Sequence, residues 1–351
     1  MTLPLSLSQA PQRRRGTGGG TRQQWLLPVT ALALIFLVNA LLSPSFFSLG
    51  VVEGHLYGSL VDILHRGAPL ALLAIGMSIV IGTGGIDLSV GAIIAICGSV
   101  MAVLIQQDVS PLLTTLLTLG AGLLCGLWNG LLVAVLRIQP IVATLILMVA
   151  GRGIAQMITG GQIVTFHSEV FGQLGSGYLV MLPMRVILTA LVLGLLIALV
   201  RRSALGLFIE AVGGNAEASR LAGIDSRGIL IGAYLISGLC SAFAGMIIAA
   251  DISGADANNA GLWMEMDAIL AVVIGGASLA GGRFYLGLTL LGTLVIQSLT
   301  TSILVSGLPA QYNLLVKALV ILVFLLIQSR PVKQRLLGWL QRRRPSPSDK
   351  S

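Results

Sequence analysis

Glu210-Ala-Val-Gly-Gly-Asn-Ala-Glu-Ala-Ser-Arg-Leu-Ala-Gly-Ile224 lies between two apolar runs at residues 183–200 and 228–250. Those runs carry a single charge, Arg185, whereas the island between them holds Glu210, Glu217 and Arg220. Asn215 is placed to cap a helix over 216–222, and Gly223 to stop it. Glu217 near the start and Arg220 near the end suit the helix dipole. A helix so short does not hold itself together in water, so it must rest on something. On these grounds a plain loop helix and a docking element are both open. Either way, a polar segment clasped between runs long enough to cross a bilayer predicts a membrane-threaded chain.

Working outward, the whole chain follows that pattern. Of 351 residues 56% are hydrophobic and 10% charged, against about 25% charged in soluble domains. Apolar spans are expected at about 26–42, 69–86, 89–105, 111–135, 139–158, 183–200, 228–250, 267–282, 286–303 and 311–328. The fold class is therefore all-α, a polytopic transmembrane bundle of about ten spans with both termini cytoplasmic. A soluble enzyme is excluded. The first span follows Arg13-Arg14-Arg15 without a small-x-small cleavage site and reads as a retained signal anchor. Three regions result: a basic disordered cytoplasmic tail over 1–24, a transmembrane domain over 25–330 with a cytoplasmic loop at 203–225, and a basic cytoplasmic tail over 331–351.

The net charge of +8 raises the possibility of nucleic acid as a partner, but the distribution of the charge answers it. All but four of the 21 Lys and Arg residues, the exceptions being Arg66, Arg152, Arg185 and Lys317, fall on one side of the ten-span layout. The positive-inside rule makes that side the cytoplasm. The opposite loops carry Glu53, Asp108, Glu169, Asp251, Asp256 and Glu265 instead. Cys97, Cys125 and Cys240 sit in apolar spans as small hydrophobes, and His55, His65 and His167 lack metal-ligand spacing, so no metal site is expected. No Lys follows a Gly, which removes a P-loop; any ATP is hydrolysed elsewhere.

Several polar residues within or beside the spans could carry transport. Gly82-Thr-Gly-Gly-Ile-Asp-Leu-Ser-Val-Gly91 interrupts two apolar runs, and Asp87 or Ser89 can cap the helix that follows. Asp87 is read either as part of that capped hairpin or as part of a solute path or hinge. Arg152 lies deep in the fifth span and must face the bundle, to hold the fold or to touch solute. Asn129 and Thr144 are path candidates or polar glue between helices. The stretch Asp251–Asp267, with Asp256, Asn258, Asn259, Trp263, Glu265 and Asp267, is the richest polar segment expected on the outer side. It is read as a gate, a partner-docking surface or a sugar site. Lys317 snorkels or pairs with an internal carboxylate.

The motifs resemble one family. Glu210-Ala211 with Gly214, and Gly213 to Ile224, look like the coupling loop of bacterial ATP-binding-cassette importer permeases of the ribose and simple-sugar branch, with Val212 replacing an Ala. Gly84-Gly-Ile-Asp-Leu-Ser-Val-Gly91, Gly126-Leu-Trp-Asn-Gly130, Gln139-Pro-Ile-Val-Ala-Thr-Leu145 and Gly161-Gln-Ile-Val-Thr-Phe166 extend the resemblance from about residue 60 to 328. Ala255 to Trp263 and Gln162 to Phe166 look more like galactofuranose-type than ribose-type members. The resemblance implies an inner-membrane permease without a cofactor of its own. ATP and Mg would be bound by a partner ATPase, which Glu210, Ala211, Gly214, Asn215, Glu217, Arg220, Gly223 and Ile224 would contact. It also implies a periplasmic sugar-binding protein and a second permease, in a heterodimer or alternatively a homodimer. The sugar would be galactofuranose, or otherwise one such as ribose or galactose. An ion-coupled carrier working alone, using Asp87 or Asp267, is the rival reading.

Overall fold

The computed structural model describes residues 20–52, 54–179, 181–307 and 312–328. Its helices, in chain order, are α1 (Gly20–Leu42), α2 (Ser59–Gly82), α3 (Val90–Gln106), α4 (Pro111–Ala134), α5 (Pro140–Thr159), α6 (Glu169–Ser176) and α7 (Met184–Arg202). They continue as α8 (Leu205–Gly214), α9 (Ala216–Leu221), α10 (Ser226–Asp251), α11 (Met264–Ile274), α12 (Leu286–Val305) and α13 (Tyr312–Gln328). Three antiparallel ladders complete it: β1 (Gly50–Val52) with β2 (His55–Tyr57), β3 (Val164–Thr165) with β6 (Gly254–Ala255), and β4 (Tyr178–Leu179) with β5 (Leu182–Pro183). Among the described residues, six helices are long and apolar enough to cross a bilayer: α2, α4, α5, α7, α10 and α12.

The structure corrects the expected boundaries at four places. Residues 20–24 are the first turns of α1 rather than tail; residues 1–19 and the expected tail over 331–351 lie outside the described residues, as do 329–330 and Glu53. Helix α2 begins at Ser59, ten residues before the apolar run, because Val61 and Ile63 face inward while Asp62 and Arg66 stay exposed. One apolar face suffices for a helix whose other face is wet. The eighth span is helical only over Met264–Ile274; Gly276, Gly281 and Gly282 then take positive φ, and the chain turns. Finally, the loop at 203–225 contains a ten-residue helix, α8, ahead of the capped one.

Helices α2 and α10 form the centre. Every residue of α2 from Gly67 to Gly82 is buried. Lipid gives helices no hydrophobic reason to associate, so close backbone approach through small residues must do so. Gly122, Gly126 and Gly130 put such a stripe on α4. A Cβ at Gly126 would collide with the Tyr234 carbonyl oxygen of α10, and one at Gly122 with Gly238 and Ala242. The ends of the bundle are distinct. At one, Gly282 N–H donates to the Gly82 carbonyl at 3.0 Å, and Gly213 is pressed against both residues. At the other, β3 pairs with β6, Gln106 Nε2 donates to the Thr165 carbonyl at 2.9 Å, and buried Arg185 joins Asp251 to the Gly175 carbonyl.

Replacing Gly126 by Leu is expected to destabilise the bundle by about 1–3 kcal/mol through overpacking against backbone that cannot yield. Gly120→Leu, where an added Cβ meets nothing within 4 Å, should leave thermal unfolding in detergent unchanged.

Candidate transport path and coupling segment

The stretch after α10 does not stay at the surface. Gly254 and Ala255 pair with Val164 and Thr165 at one end of the bundle. Six residues later Gly261 packs against Gly91 and Ile94, in the first turns of α3. Gly91 lies fifteen residues from Gln106, which is about 22 Å of helix at 1.5 Å per residue, and Gln106 is the residue bonded to Thr165. Residues 256–263 therefore descend through the bundle as linked turns and not as a continuous helix, the Ala260 N–H donating to the Asp256 carbonyl at 2.9 Å and the Leu262 N–H to the Asn259 carbonyl at 3.1 Å. Helix α11, only 11 residues long, starts at the bottom of that descent. This corrects the expectation of an outer-side loop: Glu265 is 3% exposed and deep in the bundle, with Gly91 as its neighbour.

Backbone at this depth needs partners, because hydrocarbon offers none. Arg152 supplies them. From α5 its Nη1 donates to the Ala257 carbonyl at 3.0 Å and the Ala260 carbonyl at 2.7 Å. Its partners are thus backbone carbonyls. Asp256 turns the strand into the descent by accepting from the Asn258 and Asn259 N–H groups at 2.9 and 3.1 Å and from Asn259 Nδ2 at 2.7 Å. Asn258 Oδ1 accepts from Gln156 Nε2 of α5 at 2.7 Å. The segment's far side stays open: Asn258, Asn259 and Trp263 are exposed, and Trp263 holds a φ of 66°. Asp267 pairs with Lys317 of α13 at 2.7 Å.

Asp87 is fully buried in the loop between α2 and α3. It does not bond the first helical N–H groups of α3 as an ordinary cap would. Its Oδ1 accepts from the Ser89 N–H at 3.0 Å and hydroxyl at 2.6 Å, and its Oδ2 from the Ser237 hydroxyl of α10 at 2.7 Å. Asn129 of α4 donates to Ser89 Oγ at 2.8 Å. Thr144 of α5 donates to the Ile86 carbonyl at 3.2 Å. The loop between α2 and α3 is thus tied to three other helices. Neither Ser237 nor the buried Tyr234 beside it stood out in the sequence; a serine or tyrosine in an apolar run carries no signal of its partner.

At the opposite end from β3 and β6, α8 and α9 form an exposed elbow. Ile209 and Val212 anchor α8 against the end of α2, where Ile209 touches Gly82. Glu210 faces a cavity of about 500 Å³ that Trp25, Arg201 and Tyr285 also line, and Ala211 is half-buried beside it. Asn215 caps α9, its Oδ1 accepting from the Ala218 N–H at 2.9 Å. Glu217 and Arg220 pair at 2.6 Å on the exposed face, and that hydrogen bond holds the Glu217 carboxyl below its ordinary pKa. Gly223, at φ +88°, ends the turn, and the Ile224 N–H donates back to the Ser219 carbonyl. Ser226 Oγ ties the elbow to α10 through the Ala216 carbonyl at 3.0 Å. Gly214 and Leu221 project outward, the latter 77% exposed. Among the described residues no three His, Cys, Asp or Glu side chains gather as metal ligands would.

Comparison with known proteins places this chain among transport permeases. The family described as "Branched-chain amino acid transport system / permease component" matches residues 59–325. The galactofuranose transporter permease protein YtfT of Escherichia coli K12 is 54% identical over 330 residues, covering 93% of this chain and 95% of that one. The fructose import permease protein FruF of Bifidobacterium longum is 36% identical, covering 90% of each chain. The ribose import permease protein RbsC of Escherichia coli K12 is 35% identical, covering 87% and 95%. No solved structure matches.

Asp87→Ala would strand the Ser89 and Ser237 donors in the core at a cost of about 1–3 kcal/mol, lowering the unfolding temperature in detergent. Asp87→Asn keeps an acceptor in place and should lose distinctly less in the same measurement.

Proposed function

The chain belongs to the branched-chain amino acid transport system / permease component family, and from that membership we propose that it is the inner-membrane permease subunit of an ATP-binding-cassette importer bringing a monosaccharide, galactofuranose in the first place, into the cytoplasm. The likeness to the galactofuranose permease over nearly the full length of both chains supports the choice of sugar. The observation that carries the reading is the descent of residues 256–263. Non-helical backbone at membrane depth is tolerated only where protein buries it or water reaches it, and broken helices of this kind lie along the substrate routes of transporters. The exposed amides and indole on its open side then face the path, and a second permease closes that path from across the bundle. A sister chain or a second copy of this one fills that place.

In this reading the chain crosses the membrane ten times, α3, α11 and α13 making up part of the count, with both termini and the α8–α9 elbow in the cytoplasm. The charge asymmetry supports this orientation. A periplasmic binding protein delivers the sugar to the β3–β6 end. A separate ATPase holds ATP and Mg, and its closure moves the elbow; this chain performs no hydrolysis. Glu210, Ala211, Gly214, Asn215, Glu217, Arg220, Gly223 and Ile224 make the coupling contact, and Leu221 joins them. Arg152 holds the descending segment rather than the sugar. Asp87, Asn129 and Thr144 form the joint on which the helices turn.

Gly214→Asp tests the coupling contact cleanly. An added Cβ there meets nothing within 4 Å and the residue is exposed, so folding and insertion are expected to persist while a partner's surface would be disturbed. Sugar uptake by cells should be abolished, as it should by Glu210→Lys, with the permease present in the membrane at parental levels. Parental uptake in both variants would remove the assignment.

A further inference from the structure

We propose that Trp263, Asp267 and Lys317 form a monosaccharide subsite deep in the path, where α11 begins. This rests on the importer reading and adds to it the residues that select the sugar. The polar residues around residues 256–263 divide sharply by what they already do. Asp256 and Asn259 satisfy one another within the turn, Asn258 is held by Gln156, Arg152 is engaged with two carbonyls, and Glu265 is buried. Trp263, Asp267 and Lys317 are different. Together with Met266, Leu270 and Leu314 they line a cavity of about 410 Å³, within the roughly 300–1,000 Å³ of small-molecule sites.

The chemistry of the three suits a sugar. Lys317 gives one ammonium hydrogen bond to Asp267 Oδ2, and no other partner for either side chain occurs among the described residues. One acceptor oxygen and two N–H donors remain beside each other. A hydroxyl both donates and accepts, so an ion pair of this kind meets it with one group for each. The side chains are 22% and 12% exposed, enough to be reached and too little to be fully hydrated. Trp263 adds a flat apolar surface. It is 53% exposed, and its φ of 66° is a conformation that an L-residue adopts at a cost. That turn puts the indole at the cavity wall instead of into the bundle. An Asp–Lys pair open to lipid would be expensive, and intramembrane charges mark solute routes. The apolar lining from Met266, Leu270 and Leu314 suits the C–H face of a furanose ring and offers nothing to a free ion.

The test uses the complete importer in proteoliposomes, with labelled D-galactose equilibrated with its furanose form, D-ribose and D-fructose as probes. Trp263→Ala and Asp267→Asn should each lower uptake of the preferred sugar about tenfold, the equivalent of a lost aromatic contact in the first case and of a lost hydrogen bond to a charged group in the second. They should also change the ratio of rates among the three sugars, with stimulation of ATP hydrolysis by the binding protein retained. Trp263→Phe should keep most uptake and the parental ratio. An unchanged ratio in both disruptive variants overturns the subsite whatever the absolute rate, since a purely structural defect slows all sugars alike. A parental complex that takes up none of the three overturns the importer reading, and the subsite with it.

Discussion

One guanidinium bonded to two carbonyls, Arg152 to Ala257 and Ala260, permits the feature on which the rest of the molecule turns. A chain that leaves helical hydrogen bonding inside a membrane exposes backbone dipoles that lipid cannot satisfy. Arg152 satisfies two of them with one side chain, from a position about 18 Å along α5 at 1.5 Å per residue. Its own charge, costly at that depth, is settled in the same contacts. With those carbonyls held, residues 256–263 reach the foot of α3, α11 starts deep, and an open polar face appears in the middle of an apolar bundle.

The elbow and that face are joined by unbroken packing. Ile209 of α8 touches Gly82 at the end of α2. Five residues on, Asp87 is bonded to Ser89 and Ser237. Ser89 begins α3, whose first turn carries Gly91 against Gly261. Each step is a contact between buried groups with little room to give, since close-packed interiors transmit displacement instead of absorbing it. The elbow and residues 256–263 are thus connected by packing that runs through Asp87.

Much of this was legible in the chain, and the rest was hidden for physical reasons. Apolar runs announce spans because bilayer thickness sets their length, and Asn215 announced a helix start because few residues accept from free N–H groups so readily. The galactofuranose-type likeness at Ala255–Trp263 drew attention to that stretch. Its depth did not show, because depth is a relation between Gly261 and Gly91, 170 positions apart in sequence. Helix α8 was missed since an apolar decapeptide between two spans reads as their continuation. Gly213 and Gly214 look identical in sequence; one is wedged between Gly82 and Gly282, and the other faces open space.

The glycine stripe on α4 carries a thermal consequence. Between helices in lipid the attraction is dispersion and backbone contact, not the expulsion of water. Such contacts lack the heat-capacity signature of apolar hydration and do not fade on cooling. Leu221, by contrast, stands 77% exposed on the elbow, and an apolar contact made there from water weakens in the cold. Chilling would thus weaken an apolar contact made at Leu221 while leaving the seam between α4 and α10 closed.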